Sequence, residues 1–270
     1  SIKSLGNIQG GSPPARVVSV LMKRLDDSET EIRRSAAYSL ARISEARVVA
    51  RLIKLKADRD ANIRRQVAFA LVPSKRPDAN DLLIGFLSDS DADTKRIAID
   101  GLRSRKVPAA LKKLRTVARA FTRQKPPVRR ALVQAIVMLS GPEGWDTFKD
   151  DYGSWLFDTD PQVKVWSIRG IAGRANDPSV PSLLAPLVGD ANAEVQVEAI
   201  KALGKTNNVE AVDYIAGSLF DSPSEVKLVA LQALAELNLE RAKQPIRDLI
   251  TNETDKAVLA KANEVYDALP

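Results

Sequence analysis

The sequence predicts an all-α chain: an α-solenoid of about eight stacked antiparallel helix pairs. Three observations predict it. An apolar helical stripe recurs with a period near 31 residues. A second apolar-periodic segment precedes each recurrence, and acidic turn residues followed by helix N-caps separate the two.

The stripe is anchored on Ile32, Ile63, Thr94, Val128, Val163, Val195, Val226 and Ala257, at spacings of 31, 31, 34, 35, 32, 31 and 31. Five positions after these anchors stand Ala37, Ala68, Ile99, Val133, Ile168, Ile200, Leu231 and Ala262. Eight positions after stand Leu40, Leu71, Leu102, Ile136, Ile171, Leu203, Leu234 and Val265. Positions 0, +5 and +8 lie on one face of a helix, so each copy is amphipathic. The segments before them, such as ARVVSVLMKRL at 15–25, NDLLIGFLSD at 80–89 and VEAVDYIAGSLF at 209–220, carry their own helical stripe. Each unit therefore reads as an antiparallel helix pair. A pair this small leaves its apolar face uncovered, so neighbours must stack, and the expectation is a single solenoid over residues 1–270.

The turns support the same reading. Five positions before the anchor stand Asp27, Asp58, Asp89, Asp158, Asp190 and Asp221. Three before it, Asp60, Asp91, Asp160 and Asn192 are suited to cap the second helix, and Pro161 follows Asp160 at the first helical position. The pattern D-x4-[VI]-R-R-x-A-A-x-x-L, read in DSETEIRRSAAYSL at 27–40, resembles the HEAT-repeat family, in particular the short bacterial type named after phycobilisome lyases. The resemblance spans nearly the whole chain. It implies the solenoid fold and, for the second-helix face, a place lining a concave groove. It assigns no activity, because such repeats serve unrelated roles.

The ends depart from the pattern. Residues 1–10 read as the tail of a truncated preceding repeat, Leu5-Gly6 resembling Leu203-Gly204, so further repeats of a parent protein are expected before residue 1. The last unit has Val258 where six of the other seven carry a basic residue, and it lacks the turn aspartate.

Composition excludes several chemistries. Cysteine and histidine are absent, which removes Cys/His zinc sites, thiol nucleophiles and a histidine general base. No acidic cluster has calcium-loop spacing, and no phosphate loop or nucleophile–base pair stands out. No cofactor, metal or catalytic residue is therefore assigned. Two enzymatic readings follow from the resemblance alone: a HEAT-like DNA glycosylase, invited by GWDTFKDD at 144–151 with Arg169, and a phycobilin-lyase type. No segment has the length or hydropathy to span a membrane and no signal pattern opens the chain, so no membrane insertion is expected and a cytoplasmic location is favoured.

Charge is what distinguishes one repeat from another. Residues 1–135 hold 29 Lys/Arg against 13 Asp/Glu, and residues 136–270 hold 12 against 21. The division is into a basic half (11–135, after the 1–10 tail) and an acidic half (136–270). Position +1 is basic in six of the eight units, which the family resemblance explains as a scaffold residue facing the turn aspartate. Position +2 is Arg34, Arg65, Arg96 and Arg130 in the first four units, then Val165, Val197, Leu228 and Leu259. The expectation is an arginine ladder with Tyr38 and Phe69 beside it.

Between Asp100 and Glu143 eleven cations occur without an acid, among them Arg103, Lys112, Arg115, Arg119 and Arg123. Lys112, Arg115 and Arg119 share one side of an amphipathic helix at 108–121. Arg123 replaces the turn aspartate and Lys125 takes the cap position, where an acid suits the helix dipole better.

Six of the thirteen aromatics (Trp145, Phe148, Tyr152, Trp155, Phe157 and Trp166) fall within 22 residues. Most are expected to fill gaps in the longer units, with Trp166 as the exposed one and a candidate anchor for a partner. The sequence thus predicts a non-enzymatic protein-binding scaffold whose basic half recognises an acidic protein surface or segment. Phosphate-directed binding of nucleic acid is the alternative.

Overall fold

A computed structural model describes residues 13–141, 144–206, 208–220 and 222–270, the side chains of 144–149 excepted. The expected repeat tail at 1–10, the side chains of Trp145 and Phe148, and Asp221 lie outside the described residues. Sixteen α-helices and no strands occur among those described. The chain divides into two compact units, the first ending at Leu139 and the second beginning at Ser140. The division falls in the uncharged stretch 131–142, so the first unit keeps all 29 basic and 13 acidic residues of the basic half.

In the first unit the pairs are α1 (Ala15–Arg24) with α2 (Thr30–Leu40), α3 (Ala46–Ile53) with α4 (Ala61–Leu71), α5 (Ala79–Phe86) with α6 (Ala92–Ser104), and α7 (Leu111–Ala118) with α8 (Pro126–Ser140). In the second they are α9 (Gly144–Trp155) with α10 (Pro161–Ala172), α11 (Val180–Leu184) with α12 (Ala193–Gly204), α13 (Glu210–Ala216) with α14 (Ser224–Leu237), and α15 (Lys243–Asn252) with α16 (Lys256–Ala268). Second helices stack on second helices: α2 on α4 and α4 on α6 in the first unit, then α10, α12, α14 and α16 in succession in the second. Each unit is thus two layers, one of first helices and one of second helices, with the apolar stripes between them.

Burial follows the sequence stripe. Ile63, Ala68, Leu71, Ile99, Leu102, Val133, Ile136, Val163, Ile168, Ile171, Val195, Ile200 and Leu203 are fully buried. Thr94 is tolerated at a buried anchor because its hydroxyl donates to Asp91 at 2.8 Å. Gly204 marks a close approach of two second helices. A Cβ there would stand 2.7 Å from the Cβ of Ala233, so α12 and α14 meet only with glycine at this crossing.

The last pair corrects the alignment by one residue. Val258 is buried and Ala257 is exposed, so the anchor and the turn before it move to Val258, while Ala262 and Val265, the +5 and +8 residues counted from Ala257, stay buried as expected. Counted from Val258, Glu253 stands five before and Asp255 three before. Asp255 accepts from the Ala257 and Val258 amides as a normal cap. The turn acid is therefore present as glutamate, while +1 counted from Val258 is Leu259, so the basic residue is absent in this register too.

Candidate partner-binding site

The turn within each pair follows one hydrogen-bond plan. The acid five before the anchor accepts the backbone N–H two residues on: Asp58 from Asp60, Asp89 from Asp91 and Asp158 from Asp160, all at 2.8 Å, and Asp190 from Asn192 at 2.9 Å. Such Asx turns fix the entry into the second helix. The next acid or asparagine then caps it: Asp60 accepts from Asn62 at 2.8 Å, Asp91 from Thr94 at 2.8 Å and Asp160 from Gln162 at 3.0 Å.

Basic residues of the preceding pair close over these acids. At +1, Arg64 donates through Nε and Nη2 to both carboxylate oxygens of Asp89, each at 2.8 Å, and through Nη1 to the carbonyls of Asp58 and Arg59. Lys164 reaches Asp190 at 2.6 Å and Lys227 reaches Glu253 at 2.7 Å. At +2, Arg34 donates to Asp60 at 2.7 Å and also pairs with Glu31. Arg65 donates to Asp91 at 3.2 Å and pairs with Asp93 at 3.0 Å.

The first two rungs of the ladder are therefore engaged with acids, contrary to the expected contrast between a scaffold +1 and a groove-facing +2. The reason is that the second turn places Asp60 within reach of Arg34, and the third places Asp89 within reach of Arg64 and Asp91 within reach of Arg65. The hydrogen bond from Arg34 holds the Asp60 carboxyl below the usual carboxylate range despite its partial burial. Burial pushes Asp89 up, but Arg64 and the Asp91 amide outweigh it and keep that carboxyl low.

The plan breaks at the fourth turn. Arg123 and Lys125 stand where the two acids should be, so Lys95 and Arg96 of α6 lose their partners. Lys95 turns to the amide oxygen of Gln124 at 3.0 Å. Arg96 folds back along its own helix to Asp100 at 3.1 Å, a carboxylate it shares with Arg103 at 3.3 Å. Lys95, Arg123 and Lys125 form no ion pair among the described residues. The fold tolerates the cations because α8 opens with Pro126-Pro127, which have no N–H to cap, while the Val128 and Arg129 amides donate to the Lys125 carbonyl.

The rest of the acid-free tract divides by layer. Lys112, Arg115 and Arg119 are exposed on α7, whose Leu114, Val117 and Ala118 are buried, so this face belongs to the first-helix layer. Arg34, Arg65, Arg96, Arg103 and the exposed Arg130 stand on second helices, and the two layers turn their exposed faces away from each other. Arg123 and Lys125 lie on the edge of turns between the layers.

Several cations of the tract hold the scaffold instead. Arg105 donates to Asn80 and to the Val72 and Ser74 carbonyls, Arg129 donates to the Gln124 carbonyl, and Lys106 takes a left-handed φ of 54° after α6. Lys95 is the member of the edge cluster that the charge pattern did not single out. Comparing the partners of successive +1 residues would have found it.

On the second-helix face, Tyr38 and Phe69 are exposed, with Arg42 over both rings at 3.8 and 5.6 Å. A cleft of about 640 Å³ between α4 and α6 has Phe69, Val72 and Pro73 on one side and Arg96, Asp100 and Arg103 on the other. In the second unit Tyr152 and Trp155 are buried and packed edge-to-face. Trp166 is half-buried beneath Arg169, whose guanidinium pairs with Glu198 at 3.1 Å. Among the described aromatic side chains of this segment the exposed one is Phe157, at 70% of its full accessibility, where Trp166 was the expectation.

No group of acids among the described residues could hold a metal ion, and no described helix is long and apolar enough to cross a membrane. A family model described as HEAT repeats matches residues 1–72, 49–137, 153–235 and 180–266.

The chain belongs to the HEAT-repeat family. Among solved structures, its HEAT repeats are similar to Escherichia coli YibA, with 19% identity over 97% of this chain and 99% of that one and a TM-score of 0.66. An engineered protein is 20% identical over 99% and 82% of the two chains, with a TM-score of 0.59. The complex of CpcE and CpcF of phycocyanin lyase from Nostoc is 18% identical over 98% of each chain, with a TM-score of 0.50. At these identities the likeness is one of fold alone. No curated protein matches the chain by sequence.

Proposed function

We propose that this HEAT-repeat chain is a non-enzymatic protein-binding scaffold and that its basic first unit recognises an acidic surface or segment of a partner protein. The observation that carries the reading is the run of exposed cations without ion pairs among the described residues: Lys112, Arg119, Arg123 and Lys125. Scaffold needs explain the paired arginines, whose acids are in place. They do not explain these four, two of which stand where the same fold elsewhere puts acids. Opposite charge on a partner would be attracted over a Debye length and would bind less tightly in salt.

Titrating the full chain with a labelled oligo-glutamate peptide tests the reading. Binding is expected at low ionic strength, with weakening of about tenfold or more in Lys112→Glu/Arg119→Glu, since each reversal turns attraction into repulsion. Absence of binding to any acidic peptide, with an oligonucleotide bound in its place, would replace the reading with the phosphate-directed one.

A further inference from the structure

The broken turn plan defines what would complete it. We infer that the junction of the third and fourth pairs is a receptor for a segment of a partner protein carrying two carboxylates two residues apart, as in Asp-x-Asp. The inference rests on the reading that the first unit binds an acidic partner, and it specifies where and by what chemistry.

The fold itself supplies the template. Asp58 and Asp60, Asp89 and Asp91, and Asp158 and Asp160 are Asp-x-Asp pairs. Three of the basic residues that precede them, one at +1 and two at +2, reach the first or the second acid respectively. Arg64 takes Asp89 at 2.8 Å, Arg65 takes Asp91 at 3.2 Å and Arg34 takes Asp60 at 2.7 Å. Lys95 and Arg96 occupy the same two positions in the third pair, but the turn ahead of them offers Arg123 and Lys125. Lys95 is left with one neutral acceptor and Arg96 with half of a shared carboxylate. Both side chains retain N–H donors beyond those bonds. Two incoming carboxylates at the spacing of the missing pair would meet Lys95 with Arg123 and Arg96 with Lys125.

The chemistry favours carboxylates over phosphate. Phosphate sites at helix starts use free backbone N–H groups. Here the first two helical residues are prolines, and the next two amides already donate to the Lys125 carbonyl. Recognition falls to four side-chain cations arranged as two pairs. That arrangement matches two separate single charges better than one compact dianion.

The test uses the full chain and three labelled peptides of equal charge: one with Asp-Gly-Asp, one with the same aspartates separated by five residues, and one with phosphoserine in place of the pair. Asp-Gly-Asp is expected to bind best. Arg123→Asp/Lys125→Asp, which restores the acids of the other turns, is expected to weaken it about tenfold or more while circular dichroism stays helical. Equal binding of the spaced peptide, or unchanged binding to the variant, would overturn the inference. Preference for phosphoserine would overturn the carboxylate assignment. If binding falls in Lys112→Glu/Arg119→Glu but not in Arg123→Asp/Lys125→Asp, the junction is not the receptor, yet the basic unit still binds acids. If no acidic peptide binds at all, the broader reading fails with it.

Discussion

Trp155→Ala is expected to destabilise the chain by about 3–5 kcal/mol, the cost of emptying a large aromatic site in a packed core. Trp155 is 2% exposed, stands edge-to-face on Tyr152 with ring centroids 5.5 Å apart, and ends α9 where that helix packs on α10. Its removal leaves a cavity and strips Tyr152 of its aromatic partner. Urea denaturation followed by tryptophan fluorescence reports on this region, because the three tryptophans all lie in the second unit. Trp166→Ala is the comparison, with a smaller expected loss of about 1–2 kcal/mol, since that ring is only half-buried. Equal losses at the two sites would mean that the aromatic segment is not ordered as described.

Arg64→Ala is expected to cost about 2–4 kcal/mol. Its guanidinium binds both oxygens of Asp89 and two carbonyls of its own turn, with the two side chains 14% and 7% exposed. Removing it leaves a largely buried carboxylate and two carbonyls without their donor. Arg64→Lys keeps the charge but lacks the planar fork, so it should recover only part of the loss. By contrast, Arg24→Ala should change stability by less than about 1 kcal/mol, because Arg24 forms an exposed pair with Asp27 within one stretch of chain. Chemical denaturation of the three variants decides whether the turn plan carries stability or merely decorates the surface.

The repeat, its stripe and its caps were legible because they are written in local spacing. Apolar residues at 0, +5 and +8 must face inward whatever the neighbouring pair does. Partnership between pairs was less legible. That Arg34 and Arg65 both reach turn acids of the next pair depends on how α2, α4 and α6 stack, and the +2 position read as a groove feature until those acids were seen beneath it. The last pair slipped by one residue because Ala257 and Val258 are both apolar and the regular spacing favoured the first. Glu253 and Asp255, two residues apart, carried the signal that would have corrected it. The register position of Trp166, filled elsewhere by residues such as Ser35, Gln66, Glu198 and Val229, points to an exposed ring. Arg169 reaching across to Glu198 covers it, while Phe157 sits in the turn with nothing packed over it in the stripe pattern. Arg123 and Lys125 remained visible throughout, since a cation in place of a conserved-register acid is a departure readable in one dimension.

If the cations of the fourth turn serve a partner and not the fold, acids restored there should stabilise the chain. Thermal unfolding of Arg123→Asp/Lys125→Asp, without any ligand, tests it most directly. Restored acids would face Lys95 and Arg96, accept the backbone N–H at position 125 and suit the start of α8. The expected gain is about 1–2 kcal/mol, or roughly 2–5 °C in the midpoint. A midpoint lowered by several degrees would show that the fold itself depends on Arg123 and Lys125, and that they are not held for a partner.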